Sequence, residues 1–403
     1  MSKTRVLTLS SIAHFINDGS GIAYSTVYPI FVLTRNMSYI QITSASVIFL
    51  VTSAISSIII GRIADITGRT AQLMGIGILL WSIALFLLGL SLLSPNTIYY
   101  QILLLSAAIG GFAASFYHPL GASLMSKYFQ SNRGFAFGIN GALGAIGRSV
   151  YPTVITSLVI VSGTVIYSNN FFILPTFALI VSILILLMLK DSIPANRIPK
   201  TSKSVPTADR RLEKRIIIPI VALTFIALMK GMLPQGFITF LPTFLSTVAG
   251  YTYGIDVGIL TSIALIGSVI SQPLLGILSD KWGRANTMII TTVIGSLAVI
   301  IYTILYTIPI ISYLILLLFG LFSFEAFTLL LTYVAEMIPE RFLSTANSIV
   351  WGIGISAGGA LGPALVGIIS SYSNLITAYI TLGCISLTAV IPIILSKKIK
   401  YKE

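Results

Sequence analysis

The polar stretch "GRIADITGR" at Gly61–Arg69 recurs in nearly the same form as "GILSDKWGR" at Gly276–Arg284. The copies stand 276 − 61 = 215 positions apart in a chain of 403 residues. Both interrupt apolar sequence, because 56% of the residues are hydrophobic and only 9% are charged, whereas an ordinary soluble protein is about 25% charged. A polar connection that is duplicated in such a chain predicts a membrane protein built from two similar halves.

Apolar windows of roughly 20 residues predict twelve transmembrane helices. Helices are expected because no alternating barrel pattern is present and a backbone in lipid must satisfy its own hydrogen bonds. The predicted spans are 7–33, 40–60, 72–93, 98–126, 134–160, 170–190, 216–246, 257–279, 286–308, 311–337, 342–370 and 374–395. The predicted fold class is therefore all-α integral membrane, with two pseudo-symmetric six-helix bundles at 1–190 and 216–403. Residues 191–215 join them as a flexible cytoplasmic linker rich in Pro, Ser and basic residues.

The basic residues predict the orientation in the membrane. If both termini are cytoplasmic, Arg35 lies outside and Arg148 and Lys230 lie within spans, which leaves 24 − 3 = 21 of the Lys and Arg residues on the cytoplasmic side. The positive-inside rule thus favours an N-in, C-in protein of the plasma membrane. The net charge of +13 follows from this topology, and no nucleic-acid partner is expected.

Six ionisable side chains fall inside predicted spans, where they are costly and are functional candidates by default. They are His14, Asp18, His118, Arg148, Lys230 and Glu325. Counting about 1.5 Å per helical residue arranges them in three layers, with the histidines nearest the cytoplasm, then the two carboxylates, then Arg148 and Lys230.

These six side chains predict a proton-coupled site. We expect Asp18 to carry the coupled proton, with His14 and His118 as a relay or as substrate contacts, since histidine titrates near neutral pH. Glu325 is expected to share the proton or to neutralise Lys230.

Substrate binding is assigned first to Arg148, whose guanidinium offers a planar fork to a carboxylate or phosphonate. The further expected substrate contacts are Lys230, Asn17, Phe116, Tyr117 and Tyr151. Structural interpretations stay open for the charged residues: a static Glu325–Lys230 pair, histidines bonded to backbone carbonyls, a purely structural Asp18, and Arg148 as a packing anchor.

Two glycine-rich runs lie inside the fifth and eleventh spans. They read "GINGALGAIG" from Gly138 and "GIGISAGGALG" from Gly352. No strand precedes either run, so a dinucleotide loop is not predicted. Close helix contacts that can slide or hinge are predicted instead.

With both polar copies placed after the second span of a half, the chain resembles the major facilitator superfamily over essentially its whole length. The signature G-x-x-x-D-x-x-G-R loop of that family matches the residues Gly61, Asp65, Gly68, Arg69, Gly276, Asp280, Gly283 and Arg284. The resemblance implies that both copies form a cytoplasmic gate.

Two shorter motifs, "HFINDG" from His14 and "FYHPLG" from Phe116, resemble fosmidomycin-resistance-type drug exporters. The exporter motif of the fifth span usually carries Gly-Pro, and here Tyr151 precedes Pro152, whereas span eleven keeps Gly362-Pro363.

The sequence predicts a secondary transporter working by alternating access, most readily a proton-coupled exporter of small organic compounds. An importer by proton symport and a non-transporting membrane receptor are the alternatives. An enzyme is not expected, because no nucleophile triad, metal-ligand spacing or nucleotide loop is present. The lone Cys384 gives no disulfide. The expected partners are a small-molecule substrate, protons and the lipid bilayer, with no cofactor and a monomeric protein.

Overall fold

The computed structural model describes residues 2–130, 132–189, 191, 210–324, 326–339 and 342–398. Most of this part of the chain is helical, with short connections between the helices. The helices in chain order are α1 (Lys3–Arg35), α2 (Tyr39–Thr67), α3 (Thr70–Leu93), α4 (Tyr99–Tyr128), α5 (Arg133–Leu158), α6 (Ile173–Met188), α7 (Arg210–Thr247), α8 (Ile255–Trp282), α9 (Arg284–Leu305), α10 (Pro309–Ser323), α11 (Ala326–Met337), α12 (Leu343–Asn347), α13 (Ser356–Tyr372), α14 (Leu375–Leu387) and α15 (Val390–Ser396).

The chain forms two compact units. The first unit comprises Met1–Asn196 and Ile238–Val269, and the second comprises Arg197–Phe237 and Ile270–Glu403. The end of α7 and the start of α8 thus group with the N-terminal helices. The predicted domain boundaries at 190 and 216 remain a prediction, since residues 192–209 lie outside the described part.

Eight helices of the described residues are long and apolar enough to cross a membrane, or nine if Ile255–Ser271 and Pro273–Trp282 form one span bent by 50°. This confirms a multi-pass helical membrane protein, while the count of twelve stays a prediction. Helices α1 and α5 have the length of a span but are less apolar, because α1 carries Asp18 and α5 carries Arg148. The residues that point to function therefore also weaken the hydropathy signal of their own helices.

One predicted span is divided in the structure, and two others contain a local irregularity. Span 311–337 is divided between α10 and α11, whereas span 374–395 corresponds to the single apolar span Leu375–Ser396, which includes α14 and α15. Span 342–370 contains a π-helical segment, Ser348–Ile355, between α12 and α13. This segment holds the first glycines of the run from Gly352, and π-helical turns are frequent at functional positions of helices.

A small β-hairpin corrects the all-α prediction in one place. Strands β1 (Ile160–Ser162) and β2 (Val165–Tyr167) pair antiparallel after α5. Gly163 supplies the positive φ of 59° that the tight turn needs. The sequence "IVSGTVIY" has β-branched residues on both sides of a two-residue turn that begins with this glycine, which is a hairpin pattern at the end of the predicted span.

Close packing of α1 against α5 organises the site in the first unit. A Cβ atom at Gly147 would overlap the backbone carbonyl of Phe15, and one at Gly19 would overlap the ring of Tyr151. The glycine spacing of α5 therefore allows backbone approach, as predicted for this run. The consequence is that side chains from α1 and α5 can meet directly.

Candidate functional site

Asp18 lies at the centre of a cluster of charged and polar side chains in the first unit. Its Oδ2 atom accepts a 2.6 Å hydrogen bond from Nη2 of Arg148. Its Oδ1 atom lies 3.5 Å from Nε2 of His14 and 3.6 Å from Nε2 of His118, and accepts a 3.1 Å hydrogen bond from Nδ2 of Asn17. The carboxylate is therefore neutralised by an arginine and surrounded by three nitrogen-bearing side chains.

The accessibility of these side chains differs strongly. The Asp18 and His14 side chains are 5% and 11% exposed, whereas that of Arg148 is 26% exposed and that of His118 is 63% exposed. The carboxylate is thus buried behind a more open arginine and histidine.

The imidazole of His14 is held by a second layer of contacts. Its Nδ1 atom lies 2.8 Å from the backbone oxygen of Asn140, and its ring stacks on Tyr117 with centroids 4.4 Å apart. The Asn140 side chain donates a 2.7 Å hydrogen bond to the Tyr117 hydroxyl, which donates in turn to the backbone oxygen of Ser10. These contacts fix the ring plane, so that Nε2 faces Asp18.

Asn17 is oriented by a buried tryptophan. Nε1 of Trp81 donates a 2.9 Å hydrogen bond to Oδ1 of Asn17, which leaves the amide NH₂ to donate to Asp18. Trp81 on α3 is fully buried. The site is therefore supported by α1, α3, α4 and α5 together.

In the structure, four of the predicted residues form one cluster: His14, Asp18, His118 and Arg148. The sequence had predicted them at three different depths along the helices. The layers were estimated along helix axes, but the long Arg148 and His side chains close the axial gaps. Arg148 also forms an ion pair with Asp18, whereas the sequence predicted that it would bind the substrate. The hydrogen bond of His14 to a backbone carbonyl matches one of the structural interpretations.

The predicted aromatic contacts occupy different positions. Tyr117 stacks on His14, and Tyr151 is buried against Phe15 and Gly19 at one edge of the cluster. Phe116 is buried against Gly77 of α3 and lies away from Asp18. Asn140 and Trp81 were not anticipated, although "GINGALG" did place one asparagine among the glycines of α5.

Lys230 lies in the second unit and is buried. Its Nζ atom donates 3.2 Å hydrogen bonds to the hydroxyls of Thr291 and Thr292 on α9. A cavity of about 10 Å³ adjoins it, large enough for about one water molecule. Glu325, its predicted partner, lies outside the described residues.

The second copy of the polar stretch forms a compact ionic cluster. Arg284 contacts Asp280 and the Ser279 hydroxyl, donates a 3.3 Å hydrogen bond to the backbone oxygen of Gly276, and lies 3.2 Å from Oε1 of Glu336. Gly283 adopts a positive φ of 85° at the turn between α8 and α9. Glu336 of α11 was not anticipated, because its proximity depends on the packing of α11 against α9.

The first copy is built differently. Gly68 ends α2 in the left-handed conformation with φ 67°, and Arg69 is exposed at the start of α3. Gly61 has open space around it, and the side chain of Asp65 lies outside the described part. The amides of Ala71 and Gln72 donate to the carboxylate of Asp191, at 3.0 and 3.2 Å, so the first predicted linker residue anchors the start of α3.

Comparisons with known proteins agree with this architecture. The family model described as Major Facilitator Superfamily matches residues 10–351 and 256–402. An uncharacterized MFS-type transporter, YfkF of Bacillus subtilis (strain 168), is 31% identical over 146 residues, which span 33% of this chain and 37% of that protein. The chain therefore aligns with about a third of this relative.

Solved structures share the fold at low sequence identity. A nucleoside transporter NupG mutant gives a TM-score of 0.80 at 16% identity, covering 97% of this chain and 99% of that one. A bacterial homologue of the human lysosomal transporter Spinster gives a TM-score of 0.75 at 15% identity, covering 99% of this chain and 97% of that one. A peptide transporter POT gives a TM-score of 0.73 at 15% identity, covering 98% of this chain and 94% of that one. From the family match, the chain belongs to the Major Facilitator Superfamily, and its apolar helices and its fold agree with a multi-pass membrane protein of that family.

Proposed function

We propose that this protein is a proton-driven exporter of small organic anions, working by alternating access in the plasma membrane. The observation that carries the proposal is the ion pair between Arg148 and Asp18 in the middle of α5 and α1. A charge at such a depth costs several kcal/mol unless it is paired. Because Arg148 already binds one carboxylate, that of Asp18, it is suited to bind the carboxylate or phosphonate of a substrate in its place.

The geometry supports anion exchange at Arg148. Asp18 accepts a 2.6 Å hydrogen bond from Nη2 of Arg148, and a guanidinium fork can present two parallel donors to a bidentate anion. The Arg148 side chain is more exposed than the carboxylate that it contacts. A substrate anion can therefore reach Arg148 from the open side and take over the position of Asp18.

The exporter direction is supported by two sequence motifs that meet in one site. "HFINDG" supplies His14 and Asp18, and "FYHPLG" supplies Tyr117 and His118. The sequences of both motifs resemble those of drug exporters, and their convergence around Asp18 supports a shared function. The proton-coupling roles expected of His14, Asp18, His118 and Glu325 stay predictions, as do the monomeric state and the cytoplasmic termini.

The test is flux in everted membrane vesicles. Vesicles containing the protein are given an imposed proton gradient, acidic inside, and a panel of labelled carboxylates and phosphonates, each with its neutral amide or ester. An anion exporter driven by protons accumulates at least one anion inside the vesicles and loses this accumulation when an ionophore collapses the gradient. Vesicles with the Arg148→Ala variant at equal expression should accumulate none.

Other outcomes discriminate the alternatives. A proton symporter working as an importer would drive the anion out of the everted vesicles under the same gradient. Preferential accumulation of cations or neutral compounds, unaffected by Arg148→Ala, contradicts the anion proposal. Absence of flux for every compound, combined with specific binding, would favour a receptor.

A further inference from the structure

Three metal-ligating side chains converge in the first unit. The donor atoms of His14, Asp18 and His118 all lie within 4.8 Å of one another. His14 and Asp18 are one turn apart on α1, and His118 comes from α4. These three residues are named the His-Asp-His cluster. No sequence spacing revealed it, because its third member stands on another span.

The hydrogen bond at Nδ1 of His14 determines which nitrogen can bind a ligand. Its partner at 2.8 Å is the backbone oxygen of Asn140, and a carbonyl oxygen only accepts, so Nδ1 carries the hydrogen. In the neutral imidazole Nε2 then has a free lone pair. In this neutral form the lone pair of Nε2 faces Oδ1 of Asp18, and the two acceptor atoms lie 3.5 Å apart.

The separations suit an ion between the acceptors better than a direct hydrogen bond. A hydrogen bond between a ring nitrogen and a carboxylate would bring the atoms to roughly 2.7–3.2 Å. Ligands at roughly 2.0–2.1 Å from a tetrahedral metal ion lie about 3.3 Å apart. The pairs His14–Asp18 and His118–Asp18, at 3.5 and 3.6 Å, are close to the second value. The two histidine nitrogens lie within 4.8 Å of each other, and the exposed His118 ring would move towards His14 when an ion binds.

The surroundings have the features of a supported metal site. Metal-bound histidines commonly donate their other nitrogen to a carbonyl, and metal-bound carboxylates are themselves hydrogen-bonded. His14 donates to Asn140, and Oδ2 of Asp18 accepts from Arg148. The exposed ring of His118 leaves one side of the cluster open for a further ligand.

We propose that the His-Asp-His cluster binds one divalent late transition-metal ion of the zinc class, through Nε2 of His14, Oδ1 of Asp18 and Nε2 of His118. Two imidazole nitrogens and one carboxylate oxygen suit zinc, cobalt, nickel or copper, whereas magnesium and calcium prefer oxygen ligands. Arg148 lowers the affinity by its charge but orients the ligating carboxylate. The inference concerns the same side chains as the predicted proton relay, but the metal ion would bind Oδ1 of Asp18, whereas Arg148 contacts Oδ2.

The test is metal binding to the full chain, purified without a polyhistidine tag and stripped with a chelator. Zinc chloride is titrated by calorimetry, and cobalt by visible absorption. We expect one saturable ion per chain, with the His118→Ala variant weakening zinc binding about tenfold or more and altering the cobalt spectrum. His118 is exposed, so this variant should keep the thermal stability of the wild type.

Two controls make the result decisive. The chain has one cysteine, Cys384, and only two histidines, so Cys384→Ser must leave the affinity unchanged, and copper bound to the wild type should show nitrogen couplings in electron paramagnetic resonance. No saturable zinc binding, or equal binding by wild type and His118→Ala, overturns the proposal. A histidine ¹⁵N spectrum with a hydrogen on Nε2 of His14 in saturating zinc also overturns it.

Discussion

Arg148 of α5 donates from Nη2 to Oδ2 of Asp18 on α1, 2.6 Å away, across a helix contact that only glycine spacing permits. The pair joins two helices of the first unit and removes an uncompensated charge from the span. It also places a guanidinium beside two histidines and an asparagine. The site and the stability of the α1–α5 contact therefore depend on the same ion pair.

The first prediction concerns the coupling between these two residues. Removing Arg148 leaves the buried carboxylate of Asp18 without its ion-pair partner, and breaking a buried pair in this way typically costs about 3–5 kcal/mol. Removing Asp18 should cost less, because the Arg148 side chain is 26% exposed. We expect Arg148→Met and Asp18→Asn each to lower the thermal unfolding temperature in detergent. The decrease in the double variant should be smaller than the sum of the decreases in the two single variants. The measurement is a double-mutant cycle by thermal unfolding, and strictly additive losses would show that the pair contributes no coupling.

The second prediction tests the α1–α5 contact. At Gly147 a Cβ atom would overlap the carbonyl of Phe15, whereas around Gly141 there is open space. We expect Gly147→Ala to reduce thermal stability and impair transport, because backbone cannot give way as a side chain can. The matched control Gly141→Ala should be neutral or slightly stabilising, since alanine is favoured over glycine in helices by about 1 kcal/mol. Equal effects of the two changes would refute the packing argument.

The third prediction concerns Asp191. Its carboxylate accepts from the first-turn amides of α3 at Ala71 and Gln72, and it adds a negative charge at the positive end of the helix. Replacement by alanine should cost about 1 kcal/mol and raise amide hydrogen exchange at the start of α3. Asp191→Asn keeps an acceptor and should lie between alanine and the wild type. Unchanged exchange in both variants would contradict an anchoring role.

The fourth prediction concerns the ionic cluster around Arg284. We expect Arg284→Ala to reduce the transport rate about tenfold at equal expression, because it removes the shared partner of Asp280 and Glu336. Glu336→Gln removes one exposed ion pair, and such pairs contribute about 0–1 kcal/mol, so its effect should be smaller. Initial rates in vesicles measure both changes. A full rate in Arg284→Ala would exclude a gating role.

Much of the fold was predictable because the bilayer imposes its rules on the sequence. The apolar windows located the helices closely: α3 is Thr70–Leu93 against the predicted 72–93, and α9 is Arg284–Leu305 against 286–308. The end of α10 at Ser323 was not predicted, since hydropathy continues beyond it, whereas the predicted span 374–395 agrees with the apolar span Leu375–Ser396. The π-helical Ser348–Ile355 has no periodicity signal strong enough to separate it from an α-helix.

The candidate site was predictable as a set of residues but not as an arrangement. An ionisable residue in a span is conspicuous in the sequence, so His14, Asp18, His118 and Arg148 were all found. Their pairing was not found, because it depends on the rotation of α1 and α5 about their axes. Asn140 and Trp81 were missed for a further reason: neutral polar residues are common in spans and draw attention only once their hydrogen bonds are seen.

The most direct measurement of the central claim is anion binding to purified wild type and Arg148→Lys, by calorimetry. Each anion that the vesicle screen identifies is compared with its neutral amide or ester. Lysine keeps the charge but lacks the guanidinium fork. The anion proposal predicts that Arg148→Lys weakens anion binding about tenfold or more and leaves the neutral partner unchanged. An equal loss for both compounds, or none for either, would contradict it.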